Sequence, residues 1–259
     1  MPTSKVQFKN TSGNTISGRL DLPEHAAHTF AIFAHCFTCS KDSLAASRVA
    51  KGLMERGIGV LRIDFTGLGE SDGEFGSTSF ETNLLDLQDA ADWLEDNHAP
   101  AELLIGHSLG GAAVIGVADR LPKVKAIVTI GAPADPAHVQ HLFDSKLDEI
   151  NTHGSAEVSL GGRSFRIGKK LVDDLATQNP KETIANLGRP LLIFHSPIDQ
   201  IVAIENAAQI YEWAKHPKSF ISLDQADHLL NKKRDADFVA GIIKAYAERT
   251  VLDDAVKRL

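Results

Sequence analysis

Gly106-His107-Ser108-Leu109-Gly110 lies between the apolar run Leu103-Leu104-Ile105 and the small-residue stretch Gly111-Ala112-Ala113-Val114. A short strand thus gives way to a helix across a serine, the arrangement of a nucleophile elbow. A turn that sharp brings backbone segments almost into contact, so glycine is needed at Gly106 and Gly110, where a side chain would collide. The strain lifts the Ser108 hydroxyl out of the sheet. The first turn of the next helix then points free N–H groups and a positive dipole end at any anion that forms there. These are the requirements of acyl transfer.

A serine nucleophile needs a base, and the base needs an orienting acid; in this architecture they follow in the chain order Ser, Asp or Glu, His. Arg189-Pro190 leads into the buried-strand pattern Leu191-Leu192-Ile193-Phe194-His195, and Ser196-Pro197-Ile198-Asp199 turns off its end. Asp199 is therefore expected at a strand's carboxyl end. A later strand candidate, Ser219 to Leu223, is followed by Asp224-Gln225-Ala226-Asp227-His228, which puts His228 on the next such loop. Loops at the carboxyl ends of strands converge on one crevice in open α/β sheets, so Ser108, Asp199 and His228 can meet there. Asp224 and Asp227 compete with Asp199 for the acid role, but neighbouring side chains diverge, which makes an Asp227 to His228 contact awkward. His107 should point away from Ser108 into strand packing and is read as structural. Two N–H donors complete the site: that of Leu109, after the nucleophile, and that of Phe37, in the loop after the strand Thr29 to Ala34.

His35-x-Phe37-Thr38, Asp64-Phe65-Thr66-Gly67-Leu68-Gly69-Glu70-Ser71, the elbow, His195-Ser196-Pro197-Ile198-Asp199 and Asp227-His228 together resemble the α/β-hydrolase superfamily across nearly the whole chain. The likeness is nearest to bacterial serine esterases. His35-Cys36-Phe37-Thr38-Cys39-Ser40 and Gly131-Ala132-Pro133-Ala134-Asp135-Pro136 also resemble the hydrolase half of proteins in which this fold is fused to an osmotically inducible protein C-like peroxide-reducing domain. The resemblance implies Ser108 as nucleophile, His228 as base, Asp199 as acid, and Phe37 and Leu109 as oxyanion donors. Cys36 is a departure, since many relatives carry His-Gly-Phe, and it bears on the width of the oxyanion loop.

Cys36 and Cys39, the only two cysteines, form C-x-x-C, a spacing used for thiol redox chemistry or metal binding. A structural zinc site wants four ligands, commonly from two such pairs. The plainer reading is two small residues packing a loop; the other is a reversible disulfide that distorts the oxyanion loop.

With 259 residues, 43% of them hydrophobic, the chain can bury a full core as one domain over 1–259. A formal net charge of -7 argues against nucleic acid and against anionic membranes. The first residues lack an apolar signal core, no segment reaches a membrane-spanning length, and two cysteines make no secreted disulfide framework, so a cytoplasmic location is expected. Ser12-Gly13-Asn14 joins two strand-like stretches, Val6 to Lys9 and Thr15 to Leu22, as an edge hairpin. Helices are expected at Ser43 to Arg56, Phe80 to Asn97, Ser108 to Arg120, Ile204 to Lys215 and Ala236 to Arg249, with further strands at Ile58 to Asp64 and Val124 to Ile130. Such alternation implies an α/β fold with a mostly parallel central sheet of about eight strands. Residues 135–179 break the alternation and are expected to form a cap insertion, with a hairpin at Glu157 to Phe165 around Gly161-Gly162. Its histidines, His138, His141 and His153, are too irregularly spaced for a metal site.

The expected activity is that of a serine carboxylic-ester hydrolase acting on small, short-acyl-chain esters through an acyl-enzyme, with no metal or organic cofactor. A thioesterase, an amidase or a cofactor-free perhydrolase would use the same three residues. A non-catalytic, redox-responsive binding module is the alternative from another class. The expected partner is a small-molecule ester, and a homodimer is left open.

Overall fold

The computed structural model describes residues 3–252. Strands β1 (Thr3–Lys9) and β2 (Thr15–Asp21) form the expected hairpin, antiparallel with Val6 opposite Gly18. Strands and helices then alternate as β3 (Thr29–Ala34), α1 (Leu44–Met54), β4 (Ile58–Ile63), α2 (Phe80–Asn97), β5 (Ala101–His107), α3 (Leu109–Val117) and β6 (Ala126–Ile130). Helix starts follow local chemistry. The Ser43 hydroxyl accepts from Ala46 N–H ahead of α1, and Ser79 and Thr82 form a reciprocal capping box ahead of α2.

After β6 the alternation stops, as the composition of residues 135–179 suggested. This segment holds 3-10 turns at Pro136–Leu142 and Asp144–Lys146, helix α4 (Leu147–His153), strands β7 (Ser155–Leu160) and β8 (Arg163–Gly168), and helix α5 (Lys169–Ala176). β7 and β8 pair antiparallel around Gly161 and Gly162, whose φ values of 57° and 77° suit the tight turn that glycine permits. Helix α6 (Pro180–Ala185), β9 (Leu191–His195), α7 (Glu205–Trp213), β10 (Lys218–Ser222) and α8 (Lys233–Ala247) follow, and a π-helical turn at Glu248–Leu252 ends the described residues.

Eight strands join in the order β1-β2-β4-β3-β5-β6-β9-β10. β2 runs antiparallel to β1 and β4, and every other ladder in this sheet is parallel. Side chains on β3 and β5 alternate between two cores. Ala31, Phe33, Leu103 and Ile105 face α1 and α8, while Ile32, Ala34 and Leu104 face α2 and α3. Burial on both faces explains why the central strands read as continuous apolar runs.

The loop after β3 is tied to the end of β4 by buried charges. Lys41, 1% exposed, places Nζ 2.5 Å from Asp64 Oδ2, and its own N–H donates to Asp64 Oδ1 at 2.7 Å. Arg62 pairs with Asp21 at 2.7 Å and also donates to the Lys41 carbonyl. A lysine buried this deeply is tolerated only with its partner in place. Asp64→Ala should therefore lower the unfolding free energy by about 3–5 kcal/mol, read as a lower urea midpoint. Glu70→Gln, which removes the exposed third partner of Lys41, should shift the midpoint far less. Equal shifts would show that burial of the pair does not govern its contribution.

Candidate active site

Ser108 leaves β5 with φ 54° and ψ -125°, a backbone conformation that residues bearing a Cβ rarely adopt. The expected role of its flanking glycines is visible as distances. A Cβ on Gly106 would lie 2.2 Å from the Gly110 carbonyl oxygen, and one on Gly110 would lie 2.3 Å from that of Ala34. The elbow is tied to the neighbouring strand by Ser108 N–H, which donates to Ile130 O at 2.9 Å.

Asp199 follows β9 and its carboxylate is held on both oxygens. Oδ1 accepts the N–H groups of Ile201 at 2.9 Å and Val202 at 3.0 Å, and Oδ2 is 2.7 Å from His228 Nδ1. Burial pushes this carboxyl up, but the hydrogen bonds and charge of His228 and the two N–H groups outweigh it, so its pKa falls below the ordinary value. An ionised carboxylate only accepts, so His228 Nδ1 is the donor of this bond and Nε2 is the ring nitrogen turned away from Asp199. The two competing aspartates are engaged elsewhere: Asp227 caps Asn231 N–H at 2.9 Å, and Asp224 accepts from Ser222 Oγ. Divergence of adjacent side chains accounts for the Asp227 result. No hydrogen bond joins Ser108 Oγ to His228, a contact that in such sites need not form before the Michaelis complex.

Three buried histidines surround this arrangement. His107, expected to serve packing, does more: its Nε2 lies 2.7 Å from the His228 carbonyl oxygen and so anchors the loop carrying the imidazole. His195 Nε2 lies 2.8 Å from Val202 O and steadies the turn after Asp199. His35 Nε2 accepts Phe65 N–H at 3.3 Å while its Nδ1–H donates to Cys36 O at 2.8 Å, bonds that together select the neutral Nδ1–H tautomer. Position after an apolar strand run was the available signal for His195 and His35, but a sequence does not tell which carbonyl a histidine meets.

Neither Phe37 N–H nor Leu109 N–H is used in a backbone hydrogen bond of the loops and turns, and Leu109 opens α3, where the first amides lack helical partners. The Phe37 ring packs 5.7 Å from Phe75 and 6.4 Å from Phe143, and Phe75 packs 5.7 Å from Phe165 of β8. Arg163 of β8 also donates to the Thr38 carbonyl, so the β7–β8 hairpin is fastened onto the loop after β3. Cys36 and Cys39 are joined as a disulfide in that same loop, rather than packing as separate thiols. Among the described residues no three His, Cys, Asp or Glu side chains converge as a metal-ligand cluster, and no helix is long and apolar enough to cross a membrane.

Burial lowers the pKa of His35, His107 and His195, that of His107 from 6.5 to about 3. In the unfolded chain all three bind protons near the ordinary value, so below it the unfolded state holds more protons than the folded one. Stability should thus be complete above about pH 6.5 and decline as pH falls, with a slope approaching 1.4 kcal/mol per pH unit for each histidine. Urea unfolding between pH 7.5 and 5 checks this. His107→Gln should remove about one proton's share of the slope, and a pH-independent midpoint would contradict the account.

Residues 32–153 match the family described as Hydrolase_4, serine aminopeptidase, S33. The crystal structure of the esterase domain from a Rhodothermus marinus protein superposes with a TM-score of 0.79 at 48% identity, covering 97% of this chain and 100% of that one. The chain is 33% identical over 90 residues to an uncharacterized Rickettsia prowazekii protein, RP471; this is 34% of the chain but only 37% of that protein's length. It is 25% identical over 213 residues to the mouse mitochondrial palmitoyl-protein thioesterase ABHD10, spanning 79% of the chain and 70% of the relative. Taken with the eight-stranded sheet and the elbow, these matches establish that the chain belongs to the α/β-hydrolase superfamily.

Proposed function

We propose that this hydrolase is a serine carboxylic-ester hydrolase acting on small, short-acyl esters. The observation that carries the reading is the 2.7 Å contact between His228 Nδ1 and Asp199 Oδ2, made at the sheet end where Ser108 occupies its strained elbow. In this reading Ser108 Oγ attacks the ester carbonyl as His228 Nε2 takes its proton, and Asp199 holds the imidazole and stabilises its charged form. Phe37 and Leu109 N–H groups receive the oxyanion. His228 then returns the proton to the departing alcohol, and water, activated by the same imidazole, cleaves the acyl-enzyme.

The preference for short acyl groups is supported by the packing of Phe37 with Phe75 and Phe143 and by the hairpin fastened to Thr38, which crowd one side of the loop after β3. The Rhodothermus domain, called an esterase, supports ester chemistry; the mouse relative, called a thioesterase, keeps thioesters as a second reading. Kinship with the hydrolase halves of osmotically inducible protein C-like fusion proteins, a cytoplasmic location and a single domain with residues 135–179 as its cap belong to the same proposal.

Hydrolysis of p-nitrophenyl esters and of the matching thioesters, from two to sixteen acyl carbons, tests it. Turnover should be confined to short oxygen esters, and Ser108→Ala should reduce it by a factor on the order of 10⁶. Asp199→Asn should cost less, about 10⁴, and Asp227→Asn should stay near wild type. A preference for thioesters would favour the second reading. An Asp227→Asn variant more damaged than Asp199→Asn would overturn the acid assignment.

A further inference from the structure

The peptide unit between Cys36 and Phe37 carries both a restrained carbonyl and the candidate oxyanion donor. Its carbonyl oxygen accepts His35 Nδ1–H at 2.8 Å and Cys39 N–H at 3.1 Å. Because a trans peptide is planar with N–H and C=O opposed, holding that carbonyl aims Phe37 N–H the other way. The Cys39 bond closes a β-turn over Cys36 to Cys39, and its third residue, Thr38, has φ 58°. Turns with a positive φ at that position ordinarily use glycine; a β-branched residue there is strained and must be held by its surroundings. The disulfide joins the two ends of this turn, with Cα atoms 5.3 Å apart.

We propose that the Cys36–Cys39 disulfide is the positioning element that holds the Phe37 oxyanion donor in place, so that its reduction lowers catalytic turnover. This rests on the reading of Ser108 and Phe37 given above. Cys36 is 5% exposed whereas Cys39 is half-buried, so an external thiolate approaches the bridge from the Cys39 side. Attack by a dithiol forms a bond to Cys39 Sγ and breaks the protein S–S bond, and Cys36 leaves as a thiolate that takes up a proton. The second thiol of the reductant then displaces Cys39, leaving two protein thiols and an oxidised, cyclic disulfide reductant; two electrons have passed to the protein. With the bridge open, Thr38 relaxes towards negative φ and the Cys36–Phe37 peptide turns with it. His35 and Arg163 still hold parts of the loop, so the loss is partial rather than the 10²–10³ that follows removal of an oxyanion donor.

The test equilibrates the purified protein with mixtures of dithiothreitol and its cyclic disulfide, quantifies the two thiols by alkylation and mass spectrometry, and measures kcat and KM on p-nitrophenyl acetate. Turnover number should fall about tenfold on full reduction while KM changes less than about twofold, because an oxyanion donor acts chiefly in the transition state. Cys36→Ser/Cys39→Ser should sit at the reduced level under all conditions. Thr38→Gly should largely lose the response, since glycine adopts the turn without a bridge; simple loop destabilisation by reduction would not be rescued this way. Labelling of Ser108 by a fluorophosphonate is followed in parallel. Equal turnover in both redox states with Ser108 labelled overturns the proposal alone. Absence of labelling in both states overturns the Ser108 reading, and the proposal with it.

Discussion

The backbone at Ser108 sits at φ 54° and ψ -125°, a conformation that costs on the order of 1–3 kcal/mol for a residue with a side chain. It persists because everything around it is fixed. β5 lies in the middle of the sheet, paired on both sides, so the strand cannot shift to relieve the turn. Gly106 and Gly110 let the start of α3 press against the loop after β3, and Gly111 packs where a Cβ would come within 2.4 Å of Ala132. The same compression seats the start of α3, where Leu109 lies, against the Ala34 and His35 carbonyls at the start of the loop that carries Phe37. In the proposed reading, strain at this one residue sets where Ser108 sits relative to the proposed donors Leu109 and Phe37.

Around this point the protein uses neutral histidines as rigid connectors. His107 ties the elbow to the His228 carbonyl, His195 ties the end of β9 to Val202, and His35 ties the loop after β3 to the end of β4 through Phe65 N–H. Each is buried and kept uncharged by desolvation, which lets it bond backbone groups without placing a positive charge beside His228. The Lys41–Asp64 pair performs a related task, fastening the far end of the same loop to the end of β4. The result is a site whose loops are cross-braced through side chains rather than through regular structure.

Much of this was legible in the residues. The elbow could be read because glycine spacing and the apolar run before it are local signals, and Asp199 and His228 because each follows a strand run at the sheet's carboxyl end. Helix α2 matches the expected bounds Phe80 to Asn97. Residues 135–179 were less legible: short 3-10 turns and a two-stranded hairpin lack the long periodicity that identifies helices and buried strands, although Gly161-Gly162 did mark the hairpin turn. The burial of Lys41 left no sequence signal, because lysine is ordinarily exposed and its partner Asp64 lies on another strand's end. Likewise the C-x-x-C spacing allowed both separate thiols and a bridge, and only the turn geometry around Thr38 ties the pair to the oxyanion loop.

Under the proposed function, Ser108 becomes acylated during turnover. Rapid mixing with p-nitrophenyl acetate followed by acid quench, proteolysis and mass spectrometry reads this directly. The expected result is a transient acetyl group on the peptide containing Ser108, formed with the first burst of p-nitrophenol. Turnover of the ester with no acetylated Ser108 peptide at any quench time would contradict it.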